Sequence, residues 1–130
     1  MTINNNIQED YCSFEVSKLL KEKGFECETR YFSLSDGKVI SGANYNWNQK
    51  YDYETNQYSR PTHALAIEWI RVNFNIAIST DNLIDNKYYF SYRNTNTKNY
   101  ASRTGCSEDG YDSPQEATEA ALLYTLQKLI

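Results

Sequence analysis

The chain's two prolines, Pro61 and Pro114, each mark a helix start, and a third start at Cys12-Ser13 brackets the sequence from the front. Three helices pinned at these points leave two stretches for strands, which restricts the architecture more than any composition figure does. The C-terminal start is the most complete. Ser113 supplies a cap acceptor, Pro114 fills the first helical position, where a missing N–H costs nothing, and Glu116 completes a capping box. Behind it, Ala117, Ala120, Ala121 and Tyr124 on one flank and Leu122, Leu126 and Leu129 on the other predict a helix lying close against a sheet. In the front helix, Ser13 to Lys23, the residues Val16, Leu19 and Leu20 recur at helical spacing among Glu15, Lys18, Lys21 and Glu22. Gly24 is the left-handed residue that ends it, and Leu19 and Leu20 should enter the core. The middle helix opens at Pro61-Thr62, carries Leu65, Ala66, Trp69, Ile70 and Val72, and stops at Asn73 or Asn75.

Between helices the period changes from helical to two. Glu26–Leu34 and Lys38–Ala43 flank Ser35-Asp36-Gly37, a tight-hairpin signal because the Asp-Gly pair tolerates positive φ. The second strand either runs on through Tyr45 or is split by a turn near Asn48–Lys50. Tyr45, Trp47, Tyr51 and Tyr53 fall at odd positions, whereas Asn44, Asn46, Asn48, Lys50, Asp52 and Glu54 fall at even ones. Thr55–Arg60 is polar. Beyond the middle helix, Phe74, Ile76 and Ile78 alternate, Thr80–Asn86 is turn-rich, and Lys87–Arg93 is a strand with Tyr88, Phe90 and Tyr92 on one face. A short strand around Tyr100–Arg103 and a turn at Glu108-Asp109-Gly110 precede the last helix. The expected fold is α+β in the order α-β-β-α-β-β-α, with a mainly antiparallel sheet and helices packed against it. Residues 1–10 read as a loose N-terminal arm and 11–130 as a single α+β domain.

Several function classes drop out. No apolar run approaches the roughly 20 residues of a membrane span, and the Asn-rich start has no signal-peptide pattern. Cys12, Cys27 and Cys106 are an odd count without C-x-x-C spacing, which fits a reducing compartment. With one histidine and no paired cysteines, no metal site or cofactor is expected, and the five isolated glycines form no phosphate loop. A net charge of −4 argues against coating nucleic acid through bulk charge.

Three stretches carry a family resemblance: Cys12-Ser13-Phe14-Glu15-Val16 through Lys23-Gly24-Phe25, Tyr58-Ser59-Arg60-Pro61-Thr62 leading to Trp69-Ile70-Arg71, and Ser113-Pro114-Gln115-Glu116-Ala117 through Leu129-Ile130. Together they resemble a type of small protein found in phage and prophage regions of gut Bacteroidetes. That resemblance implies an accessory protein of a mobile element in the bacterial cytoplasm. It brings no activity and no site residues with it.

The residues themselves offer three candidate sites. Tyr45, Trp47, Tyr51 and Tyr53 concentrate ring surface beside amide side chains, which suits a binding face for another protein or for a second copy of this chain. Lys87, Arg93, Lys98 and Arg103, interleaved with Tyr88, Tyr92 and Tyr100 and with no acid between Asn86 and Ser107, have the chemistry of a single-stranded nucleic-acid contact. His63, in the first turn of the middle helix, is conceivable as a general base, but neither Ser59, Thr62 nor Glu68 forms a recognisable catalytic motif with it. Cys12, beside a helix start, is the best placed of the thiols. The leading expectation is a non-enzymatic interaction protein using the aromatic face, with nucleic-acid binding as the alternative.

Overall fold

Each helix begins at its cap residue. The computed structural model describes residues 2–6, 8–49, 57–96, 104–108 and 110–130. Its first helix, α1 (Phe14–Glu22), is capped by the Ser13 hydroxyl, which accepts the Val16 N–H, and Gly24 leaves it at a left-handed φ of 96°. Strands β1 (Thr29–Leu34) and β2 (Val39–Tyr45) form the expected antiparallel hairpin, turned through Gly37. The chain then turns at Asn46–Gln49 instead of continuing the strand, so the aromatic alternation breaks after Tyr45. Tyr51 and Tyr53 lie outside the described residues.

A third strand, β3 (Gln57–Arg60), occupies the stretch that reads as merely polar, and pairs antiparallel with β1 to give the order β2-β1-β3. Little in its side chains marks it as a strand. It is held by the ladder and by side chains reaching in from elsewhere: Lys21 Nζ donates to the Gln57 carbonyl and lies over the Tyr58 ring, and the Asn48 side-chain oxygen accepts the Ser59 N–H.

Helix α2 (His63–Phe74) is capped by Thr62, with Asn75 in the left-handed region at its end. Strand β4 (Ile76–Asn82) runs further than its composition suggests, because Thr80, Asp81 and Asn82 pair with Phe90, Tyr89 and Tyr88 of β5 (Tyr88–Asn94). A two-residue strand, β6 (Gly105–Cys106), joins the other edge of β5 and gives the order β4-β5-β6. Of the expected strand at Tyr100–Arg103 and the expected turn at Glu108-Asp109-Gly110, residues 100–103 and Asp109 lie outside the described residues.

The last helix, α3 (Pro114–Tyr124), opens on the predicted Ser113 cap and widens into a π turn over Thr125–Leu129. Its capping box is displaced by one residue, since the Glu116 carboxylate accepts the Asp112 N–H rather than that of Ser113. The fold is α+β, with two three-stranded antiparallel sheets and helices packed on the strands. The simpler order read from the sequence is corrected by a third strand in each sheet.

Val16 and Leu20 of α1, Ala66 and Ile70 of α2, Ile76, Ile78 and Phe90 of the second sheet, and Ala121, Leu122 and Leu126 close on Phe25 and Cys12 to form the core. Leu20 enters it completely, whereas Leu19 only flanks it. The alanine flank of α3 does what small side chains allow: Ala117 and Ala121 are fully buried, and α3 packs on both β4 and β5. Among the described residues no helix is long and apolar enough to cross a membrane.

Candidate functional site

Before α1 begins, the chain runs antiparallel to the entry of α2. Tyr11 bridges Thr62, the Cys12 N–H donates to the Pro61 carbonyl at 2.9 Å, and the His63 N–H donates to the Asp10 carbonyl at 2.8 Å. This short ladder sets the starts of two helices side by side and points Cys12 and His63 toward α3. There Glu119 meets both. Its Oε1 accepts the Ser13 N–H at 2.6 Å and lies 3.1 Å from His63 Nε2. One carboxylate oxygen thus satisfies a backbone donor at the start of α1, where the helix dipole also favours negative charge.

Burial by itself would push the Glu119 carboxyl up, but the hydrogen bonds from His63 and Ser13 outweigh it and hold the group below the usual carboxylate range. Cys12 behaves oppositely. Burial pushes its thiol far up, and the neighbouring Glu119 charge adds to that effect against the weaker pull of Arg60. The sulfur, His63 and Glu119 ligand atoms all lie within 4.8 Å of one another. With Cys12 at 0% exposure, the metal-free thiol is protonated at neutral pH and out of reach of a substrate.

Over this cluster opens a shallow cleft of about 500 Å³, walled by Tyr11, Tyr111, Ala120 and Leu123, with His63 and Glu119 at its floor. Asp10 and Glu116 stand at its margin and make that margin acidic. Tyr11 is braced edge-on by Tyr31, at 4.9 Å between ring centroids, and Tyr111 lies 6.1 Å from the buried Phe90 ring. Both rings therefore present to the cleft from fixed positions.

The aromatic segment is arranged differently. Trp47 stacks on Phe32 at 4.2 Å between centroids, donates its Nε1–H to the Thr29 carbonyl at 2.8 Å, and meets Tyr45 edge-on. It closes on Gly42 so tightly that a Cβ there would lie 2.8 Å from its ring. Tyr45 in turn donates its hydroxyl to Gln49. Both rings are half-buried and committed to their own sheet.

Of the four basic residues, Lys98 and Arg103 lie outside the described residues. Lys87 forms an ion pair with Asp112, while Arg93 is exposed near the far end of β5, about 20 Å away at strand rise. The described pair therefore does not form one patch. His63, set aside for want of a partner motif, acquires one in Glu119, a residue the sequence reading passed over. The single clue to Glu119 was an acid between the apolar positions Ala117, Ala120 and Ala121 of a helix with two buried flanks.

Comparison with protein-family models, with curated proteins and with solved structures finds no match for this chain.

Proposed function

We propose that the protein is a non-enzymatic accessory domain of the bacterial cytoplasm that binds a segment of a partner protein in the cleft along α3. The observation that carries this reading is the cleft itself: two braced tyrosines and an apolar wall of Ala120 and Leu123 under an acidic margin. Rings held in place present contact area at low entropic cost, which is the composition of an interface centre. The occupant is an extended segment with an apolar anchor flanked by lysine or arginine, because Asp10 and Glu116 at the margin complement a basic rim. The buried, protonated Cys12 argues against nucleophilic chemistry at the floor, and three free cysteines fit a reducing compartment.

Selection from a library of short random peptides tests the reading. Enriched peptides should combine a large apolar residue with Lys or Arg, should bind more weakly as salt is raised, and should lose binding in Leu123→Asp and Tyr111→Ala variants. No enrichment, or binding indifferent to both substitutions, would overturn it. A dimer in solution dispersed by Leu123→Asp would make a second copy of the chain the occupant instead.

A further inference from the structure

We propose that Cys12, His63 and Glu119 form a site for a single zinc-class divalent cation, with its open coordination position facing the cleft. Three different elements deliver three different donors: a thiol ahead of α1, an imidazole in the first turn of α2 and a carboxylate from the middle of α3, their ligand atoms all within 4.8 Å of one another. Around a tetrahedral ion with bonds of about 2.0–2.3 Å, ligand atoms sit roughly 3.3–3.7 Å apart. His63 Nε2 and Glu119 Oε1, at 3.1 Å, are already close to that spacing, and the sulfur needs to approach by about 1 Å, within the reach of side-chain rotation.

The backbone of the site is set in advance. Cys12 and His63 are tied to Pro61 and Asp10 through the ladder, so the ion would meet a formed site rather than have to gather loose ligands. The Cys12 thiol makes only a long, 3.8 Å contact with the Thr62 carbonyl among the described residues, so recruiting it to a metal sacrifices little. Ligand softness chooses the cation. Thiolate and imidazole favour zinc and its neighbours, whereas magnesium and calcium prefer sites made of oxygen alone.

The charge and proton balance is consistent. On binding, the Cys12 S–H releases a proton to solvent, His63 ligates as a neutral imidazole with its one proton on Nδ1, and the lone pairs on sulfur and Nε2 are donated to the cation. One dication then offsets one thiolate and one carboxylate, leaving a neutral centre in which the thiolate formed on binding is not left buried without a counter-charge. Access is from the cleft, the side on which Glu119 is 25% and His63 11% exposed, and water or a partner's donor atom completes the fourth position.

The test uses the whole chain, stripped with EDTA and then freed of it. Titration with zinc chloride, followed by calorimetry and thermal melting, should show one saturable equivalent and a raised melting temperature, with magnesium chloride producing neither. Cobalt(II) in place of zinc should add a thiolate-to-metal charge-transfer absorption in the near ultraviolet, a signature read on the unaltered protein and independent of any variant. Cys12→Ser should abolish that absorption, and His63→Ala and Glu119→Gln should each weaken zinc binding by at least about tenfold. No saturable binding at micromolar zinc, or cobalt binding without the thiolate absorption, would overturn the proposal. These readouts need no peptide, so the site stands or falls apart from the cleft's partner.

Discussion

The described residues form two three-stranded antiparallel sheets, β2-β1-β3 with its first strand in the centre and β4-β5-β6 in sequential order, and the two also differ in what holds them. The second is an apolar sheet in the ordinary sense: Ile76, Ile78 and Phe90 sit in the core under α2 and α3. In the first, the buried side chains are Phe32, Thr29, Ser33 and Ser59, one ring and three hydroxyls, and Phe32 spends its face on Trp47. A sheet with so little hydrophobic surface needs support from outside its ladder. Asn48 supplies it by tying the α1–β1 connection to β3, donating to the Phe25 carbonyl and accepting from the Ser59 N–H, each at 2.8 Å. The difference teaches that strand content here follows two rules, apolar burial in one half and directed polar bonds in the other.

Truncation should expose that asymmetry. Phe90→Ala removes a ring from the centre of the apolar sheet and should cost about 3–5 kcal/mol of unfolding free energy in a denaturant titration. Asn48→Ala, which removes far less apolar surface, should still cost about 2–3 kcal/mol, because it leaves a buried carbonyl and a buried N–H unpaired. Equal tolerance of Asn48→Ala and of a surface substitution would erase the proposed distinction. Trp47→Ala should come next, at about 2 kcal/mol, below the usual cost of a fully buried tryptophan because the ring is only half-buried. Trp47→Phe sharpens the comparison: keeping the stack on Phe32 while losing the bond to Thr29 should recover about half of that loss. A variant that keeps full stability would release Trp47 from the sheet and return it to the pool of binding residues.

The same contrast explains what the sequence disclosed. Helix starts were legible because caps are local: Ser13, Thr62 and Ser113 each bond an N–H three residues on, and the residue types announce it. The hairpin through Gly37 was legible for the same reason. β3 was not, since Gln57-Tyr58-Ser59-Arg60 lacks an apolar alternation and becomes a strand only by pairing with β1 and by contacts from Lys21 and Asn48. At the site, His63 and Cys12 stood out by type, but their association depends on Glu119, 56 residues from His63 in sequence. Nothing periodic encodes such a meeting. Ser113→Ala probes the local kind of information directly: loss of the hydroxyl that accepts the Glu116 N–H should cost about 1 kcal/mol, and an unchanged midpoint would mean that α3 is held wholly by its packing.

The smallest expected effect is the most discriminating. Ser33 is fully buried in the centre of the polar sheet, and its hydroxyl has no hydrogen-bond partner among the described residues. A buried hydroxyl that bonds nothing gives up its hydration and gains nothing in exchange, so its removal should relieve a cost rather than create one. Ser33→Ala is therefore expected to leave the denaturation midpoint unchanged or to raise stability by up to about 1 kcal/mol, while the buried polar residue Asn48 remains costly to truncate. The two outcomes together would separate polar groups that hold the sheet from polar groups it merely tolerates. A loss of about 1 kcal/mol or more at Ser33 would show that this hydroxyl, too, is bonded in solution. The first sheet would then depend on directed polar contacts even more completely than Asn48 alone implies.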